Sequence, residues 1–63
     1  MITLPKPREV AAALDVTPRK AGRWLRGDTA PTLADLARIL AAFPHLDPRW
    51  VVGELARRRE ARR

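Results

Sequence analysis

The stretch Arg8–Arg26, REVAAALDVTPRKAGRWLR, predicts two short helices joined by a tight turn. Its first half has an apolar stripe at helical spacing, formed by Val10, Ala11 and Leu14. Asp15 ends the stripe, and Asp is one of the residue types that tolerate the left-handed backbone conformation of a tight turn. This pattern predicts a first helix over residues 7–14 and a turn directly after it.

The second half of the stretch has start and end signals for a basic helix. Thr17 can cap the first turn with its hydroxyl, and Pro18 suits the first helical position because it lacks only an N–H that would have no partner there. Gly27 stands where helices commonly end, so we predict a helix over residues 18–26. Its inner side consists of Ala21, Trp24 and Leu25, expected in the core, and its outer side of Arg19, Lys20, Arg23 and Arg26.

Two more helices are predicted after the basic one. Thr32, with Asp35 three residues later, resembles a capping box and begins a third helix. Asp47 and Pro48 repeat the cap-then-proline signal and begin a fourth helix, which we expect to end near Arg58. Apolar residues at helical spacing predict that the third helix packs on the first two, and they give the fourth helix an apolar face.

The two ends of the chain differ from this helical middle. Residues 1–6, MITLPK, are predicted to form an extended arm, because Pro5 and Pro7 disfavour helical backbone before residue 7. Residues 57–63 hold five Arg in seven positions and are expected to fray. We therefore expect an all-α fold: a compact four-helix domain over residues 1–56, which includes the extended N-terminal arm, followed by a basic C-terminal tail.

The composition favours a polyanionic partner and does not favour an enzyme. Eleven Arg and two Lys outweigh seven acidic residues, and the net charge is +6. Such a balance favours nucleic acid first and an anionic membrane second. The sequence has no Cys, Ser, Asn, Gln or Tyr, and its single His, His45, stands in a predicted loop. We therefore expect no catalytic site, no metal site, no cofactor and no small-molecule substrate.

The two helices of the opening stretch have the layout of a helix-turn-helix motif, since the second carries four cations and no acid on its outer side. The second helix of such a motif lies in the major groove of DNA. The sequence therefore predicts double-stranded DNA as the partner and residues 18–26 as the recognition helix. The apolar runs of the chain are too short to span a membrane.

The stretch VAAALDVTPRKAGRWLRGDTAPTLADLARIL, residues 10–40, resembles the lambda-repressor-like, or Cro/C1-type, helix-turn-helix family. The matching features are the small Ala11, the turn LDVT (14–17), the helix end RWLRG (23–27), the next helix start PTLADL (31–36) and the final-helix segment LDPRWVV (46–52). The family usually has a further helix before residue 7, where this chain has its predicted arm.

The resemblance implies which residues approach DNA. By the family's matching positions, these are Thr17, Arg19, Lys20, Arg23 and Arg26. Pro18 and Gly22 add little bulk between these side chains, so the backbone can come close to the DNA. Arg8 is placed to contact a phosphate near the start of the first helix. The basic residues 57–63 fit either a solvated run or additional phosphate contacts.

The missing amide side chains restrict how bases can be recognised. Adenine is usually bound by Asn or Gln, and guanine by Arg or Lys at O6 and N7. This chain can bind guanine through Arg19, Lys20 or Arg23, and it can contact a thymine methyl through Thr17. We therefore expect guanine at the contacted positions of its DNA site.

These observations favour a sequence-specific transcriptional regulator, a Cro-like repressor of a phage or mobile element that acts in the bacterial cytoplasm in association with the nucleoid. Members of the family that it resembles usually bind as two-fold dimers. The resemblance therefore implies a homodimer. The residues that we expect at its interface are Phe43, Leu46, Trp50, Val51 and Leu55.

Two other functions stay open from the sequence. LPKPREVAAALDVTPRKAGRWLRG, residues 4–27, also resembles the start of excisionase-like factors that bend DNA in recombination. Those proteins usually continue with a β wing, whereas residues 32–42 here have the pattern of a helix. The Arg-rich end and the two Trp would also fit a basic helical module that binds a protein partner or an anionic membrane.

Overall fold

The computed structural model describes residues 3–62, and this part of the chain forms four helices without a strand. The helices are α1 (Pro7–Leu14), α2 (Pro18–Arg26), α3 (Leu33–Ala42) and α4 (Pro48–Ala61). The predicted all-α fold is confirmed, as are the predicted bounds of α1 and α2. Helix α3 occupies the place where an excisionase-like protein would have its β wing.

The arm before α1 is extended over its described residues, as predicted. Residues 3–6 contain no helix, and Lys6 has φ −71° and ψ 153°. The side chain of Leu4 is half-buried and packs against the core. The arm therefore adds an apolar contact beside α1. Met1 and Ile2, which belong to the predicted arm, lie outside the described residues.

The turn between α1 and α2 is built on Asp15, which has φ 57° and ψ 46°. This is the left-handed conformation that its position in the sequence predicted. The turn is closed by a hydrogen bond from the Val16 N–H to the Ala11 carbonyl, 3.1 Å long. Arg38 of α3 donates a further hydrogen bond to the Leu14 carbonyl at the end of α1. The third helix therefore fixes the turn of the helix-turn-helix from the side.

All four helices contribute to one apolar core. Val10, Leu14 and Val51 are almost completely buried at its centre. The other buried apolar residues are Ala11, Ala21, Trp24, Leu25, Ile39, Leu46 and Leu55. Each large side chain that is fully buried contributes about 1.5–3 kcal/mol to stability. Helix α3 packs against α1 and helix α4 packs against α2, so the described residues bury Val10 and Leu14 without a further helix before α1.

The last two helices begin at the predicted capping residues. The Thr32 hydroxyl accepts a hydrogen bond from the Asp35 N–H at 3.1 Å, and the Asp47 carboxylate accepts one from the Arg49 N–H at 2.9 Å. Each cap satisfies an N–H that has no partner within its helix. None of the helices in residues 3–62 is long and apolar enough to cross a membrane.

The end of α4 differs from the prediction. The helix continues to Ala61, three residues beyond the predicted end at Arg58, so the expected fraying is wrong for residues 57–61. Arg63, which belongs to the predicted tail, lies outside the described residues. The physical reason is tertiary: the side chains of Arg58, Arg59 and Arg62 donate hydrogen bonds to α2 and to the loop that follows it. These contacts hold the last turns of α4 in place.

Candidate DNA interface

Helix α2 has one buried side and one exposed basic side. Ala21, Trp24 and Leu25 face the core, and Trp24 is only 3% exposed, which confirms its predicted place. The exposed residues at the start of the helix and along its outer side are Thr17, Pro18, Arg19, Lys20, Arg23 and Arg26. The structure thus brings together on one surface the cations that the sequence predicted.

The N-terminal end of α2 is open and electropositive. The Thr17 hydroxyl accepts a hydrogen bond from the Lys20 N–H at 3.1 Å, and the first turn contains no acidic residue. The positive end of the helix dipole therefore adds to the side-chain charge. Arg8 lies at the same end, because it lines one groove with Pro18, Lys6 and Pro7.

A groove of about 420 Å³ runs between the first turns of α2 and the start of α3. Its basic wall consists of Arg19, Lys20 and Arg23. The one acidic residue that lines it, Asp35, forms an ion pair with Arg38 at 3.6 Å, which offsets its charge. The groove can therefore accept an anionic group such as a phosphate of the DNA backbone.

The four cations of α2 differ in their partners. The Lys20 ammonium lies 5.7 Å from the centroid of the Trp24 ring, and the Arg26 guanidinium donates a hydrogen bond to the Asp28 carboxylate at 3.2 Å. Within residues 3–62, the guanidinium groups of Arg19 and Arg23 have no hydrogen-bond or ion-pair partner. Arg19 and Arg23 are therefore the two arginines of α2 whose donors are fully available to a ligand.

Gly22 is buried rather than exposed to a ligand. A Cβ at this position would lie 3.0 Å from Nη1 of Arg26 and 3.9 Å from Cβ of Pro7. The missing side chain therefore makes room for the Arg26 side chain and for the start of α1. This placement differs from the expected one, in which Gly22 allows DNA to approach the backbone.

The C-terminal end of α2 is covered by an arginine cluster that sequence reasoning missed. Arg58 donates to the Leu25 carbonyl at 2.7 Å, and Arg59 donates to the Asp28 carbonyl, also at 2.7 Å. Arg62 donates to the Asp28 carboxylate at 2.8 Å. We call Arg58, Arg59 and Arg62 the arginine clamp. The one sequence signal for it is Glu54, four residues before Arg58, which fixes that side chain by a 3.1 Å hydrogen bond.

Asp28 is the acidic centre of this cluster. Its two carboxylate oxygens accept hydrogen bonds from Arg26 on one side and from Arg62 on the other. Burial raises the pKa of the Asp28 carboxyl, but the guanidinium groups of Arg26 and Arg62 more than offset this effect. The pKa therefore lies below its ordinary value. Asp28 thus remains charged at neutral pH and links α2 to α4.

The residues expected at a dimer interface fall into two groups. Leu46, Val51 and Leu55 are buried in the core of the single chain, so they are not available on its surface. Phe43 and Trp50 are half-buried and pack against that core from outside. The apolar stripe of α4 is thus part of the core of the single chain. Of the residues expected at a dimer interface, Phe43 and Trp50 stay partly accessible.

A family model described as helix-turn-helix matches residues 2–51 of the chain. The match covers α1, α2, α3 and the start of α4, and the arginine clamp lies beyond it. Comparisons with curated proteins and with solved structures gave no match. The family match spans most of the chain and agrees with the arrangement of α1 and α2 described above. The chain therefore belongs to the helix-turn-helix family of DNA-binding proteins, in its Cro/C1-type branch.

Proposed function

We propose that this protein is a sequence-specific transcriptional regulator that inserts α2 into the major groove of double-stranded DNA. The proposal rests on the exposure of Arg19 and Arg23 and on the availability of their guanidinium donors. Both are exposed on the outer side of the recognition helix, Arg19 in its first turn and Arg23 in its last, and neither guanidinium is engaged within residues 3–62. A planar guanidinium with free donors can bind guanine O6 and N7 through two parallel hydrogen bonds.

The other residues of the surface have supporting roles in this proposal. Thr17 and Pro18 stand at the start of α2, where Thr17 can contact a thymine methyl and the helix end can accept a phosphate. Lys20 and Arg8 supply charge for phosphates on either side of the helix. Arg26 lies at the far end and is shared with Asp28, so we assign it at most a phosphate contact.

The experiment that tests this proposal is the selection of binding sites from random duplex DNA, followed by a salt titration on the selected sequence. We expect guanine at the contacted positions and a steep fall of affinity with salt, since each neutralised phosphate releases a counterion. Selected sites that contain only A and T at those positions would contradict guanine recognition by Arg19 and Arg23. The absence of any sequence preference would contradict the proposed function as a whole.

We further propose that the protein acts as a Cro-like repressor, of phage or mobile-element origin, which binds as a homodimer and blocks a promoter. Two half-sites would then lie about one helical turn of DNA apart. Phe43 and Trp50 are the residues that we propose as dimer contacts, because Leu46, Val51 and Leu55 are occupied within the single chain. Sedimentation of the protein with and without the selected duplex tests the dimer, and a monomer in both cases would refute it.

A further inference from the structure

We propose that the arginine clamp is a positioning device for sequence recognition: it holds the C-terminal end of α2 and the loop after it, and it does not bind DNA itself. The inference rests on the proposed function, since it concerns how α2 is held when it reads bases. It assigns a role to Arg58, Arg59 and Arg62, which lie outside the part of the chain that matches the family.

The first step concerns the carbonyl groups at the end of α2, which need hydrogen-bond donors from outside the regular helix. The last four carbonyls of a helix have no partner within it. Here the Arg23 carbonyl accepts from the Asp28 N–H at 2.9 Å, and the Trp24 carbonyl accepts from the Gly27 N–H at 3.1 Å. The Leu25 carbonyl is bonded by Arg58 instead. A side chain of α4 thus supplies the partner for one of the last four carbonyls of the recognition helix.

The second step concerns the loop that follows α2. Nη1 of Arg59 donates to the Asp28 carbonyl at 2.7 Å and to the Gly27 carbonyl at 3.3 Å. Arg62 holds the Asp28 carboxylate through an ion pair of 2.7 Å. The loop is therefore fixed through both its backbone and its acidic side chain. Thr29 and Ala30, the next residues of this loop, line the same groove as Arg19 and Arg23.

The third step is the close backbone approach at Gly27. A Cβ at this position would lie 2.3 Å from the Arg58 carbonyl oxygen and 2.8 Å from the Arg59 nitrogen. The last turns of α4 therefore rest directly on the end of α2, without a side chain between them. In this geometry the donors of Arg58 and Arg59 face protein carbonyls, which leaves fewer of them for phosphates. Charge alone would make these arginines DNA-binding residues, but their hydrogen bonds indicate a structural use.

The test compares Arg59→Ala with Arg57→Ala in the full chain. Arg57 has the same charge in the same helix, but its side chain is 70% exposed and pairs with Glu54 of its own helix. Affinity is measured for the selected duplex and for a scrambled duplex over a series of salt concentrations. We expect Arg59→Ala to weaken the selected duplex about fivefold, as the loss of one partly exposed charged contact would, and to change the scrambled duplex much less. Arg57→Ala should leave the ratio of the two affinities unchanged.

The salt dependence separates positioning from direct contact. A lost phosphate contact makes the negative slope of log affinity against log salt less steep by about 0.9, and it weakens binding to both duplexes alike. If Arg59→Ala makes the slope less steep in this way, or if the ratio of affinities stays at the wild-type value, the clamp is not a positioning device. If the wild-type chain binds the selected and the scrambled duplex equally, the proposed function is wrong, and so is the clamp proposal that rests on it. If the wild-type chain prefers the selected duplex but Arg59→Ala keeps the wild-type ratio, only the clamp proposal is wrong.

The substitution Asp28→Asn gives a test in which the two explanations predict opposite signs. It removes a negative charge close to the DNA-binding surface, so electrostatics alone predicts tighter binding to every duplex. The clamp predicts weaker binding to the selected duplex, because the ion pair with Arg62 is lost and the loop is released. Tighter binding to the selected duplex would overturn the proposal.

A conservative pair of variants keeps the test decisive if Arg59→Ala does not fold. Arg62→Gln removes the ion pair with Asp28, and Arg62→Lys restores a cation at the same place. Because Arg62 is 58% exposed, neither substitution removes core packing. We expect the ratio of selected to scrambled affinity to fall in Arg62→Gln and to recover in Arg62→Lys. A ratio that stays at the wild-type value in Arg62→Gln would overturn the proposal.

Discussion

The two ends of α2 use arginine in opposite ways. At the end that we call open, which comprises the first turn of α2 and the outer side of the helix as far as Arg23, the side chains of Arg19 and Arg23 are exposed and have no hydrogen-bond or ion-pair partner within residues 3–62. At the C-terminal end, which we call the closed end, the side chains come from α4: Arg58, Arg59 and Arg62 are engaged with carbonyl and carboxylate oxygens. The difference shows that the charge of an arginine does not define its role. Its hydrogen-bond partners decide whether it holds the helix or is free to bind a ligand.

The largest effect is expected from substitution at the closed end, at Gly27. Gly27→Ala combines a left-handed φ of 85° with a Cβ only 2.3 Å from the Arg58 carbonyl oxygen. We expect the free energy of unfolding to fall by about 2–4 kcal/mol, from backbone strain and from displacement of α4. Urea unfolding followed by circular dichroism measures this loss, which is large for a domain of this size.

Gly53→Ala is the matched control for this substitution. Gly53 is exposed in the middle of α4, and a Cβ there would meet nothing within 4 Å. Alanine should therefore stabilise the helix by about 0.5–1 kcal/mol. If Gly27→Ala were as harmless as Gly53→Ala, the close contact between α2 and α4 would be disproved.

Substitutions at the open end should change the DNA affinity and leave the stability nearly unchanged. Arg23→Ala is expected to weaken binding to the selected duplex by about 1–3 kcal/mol and to relax the preference at one base pair. Because Arg23 is exposed and unpaired within the described residues, the free energy of unfolding should change by less than about 0.5 kcal/mol. Anisotropy titrations with duplexes that vary at each position measure the affinity and the base preference, and urea unfolding measures the stability. Unchanged affinity after Arg23→Ala would contradict the assignment of α2 to the major groove.

The open end could be predicted from the sequence because its signals are local. Thr17 and Pro18 mark the start of α2. The helical period of 3.6 residues then assigns Trp24 to the buried side and Arg23 to the exposed side, without any tertiary information. The left-handed turn at Asp15 follows from the residue type and from its position after an apolar stripe. Each of these inferences depends on residues no more than five positions apart.

The closed end could not be predicted in this way. The arginine clamp joins residues 31–34 positions apart, and two of its members bind backbone carbonyls, which every residue possesses. A run of arginines at the end of a chain therefore has the same pattern whether it is solvated or docked. The apolar stripe of α4 has a similar ambiguity, because Val51 and Leu55 would look alike in a dimer interface and in the core of one chain.

The smallest expected effect is the pH dependence of the closed end. The pKa of Asp28 in the folded protein lies below its ordinary value, because Arg26 and Arg62 favour the charged carboxylate more than burial disfavours it. A lowered pKa contributes stability above the pKa of the unfolded chain, near pH 4, and this contribution is lost as the pH falls through the folded value.

Thermal unfolding of the wild type and of Asp28→Asn between pH 7 and pH 2 tests this expectation. At pH 7 the wild type should be the more stable of the two, and the difference should shrink as the pH falls below about 4 and through the lowered pKa of the folded protein, below which the carboxyl is protonated and resembles the neutral amide. The open end provides the comparison: Arg19→Ala removes a charge that has no partner in the described structure, so its effect on stability should be nearly the same at both pH values. A difference between wild type and Asp28→Asn that stays constant down to pH 2 would mean that the Asp28 carboxylate does not hold α2 against α4.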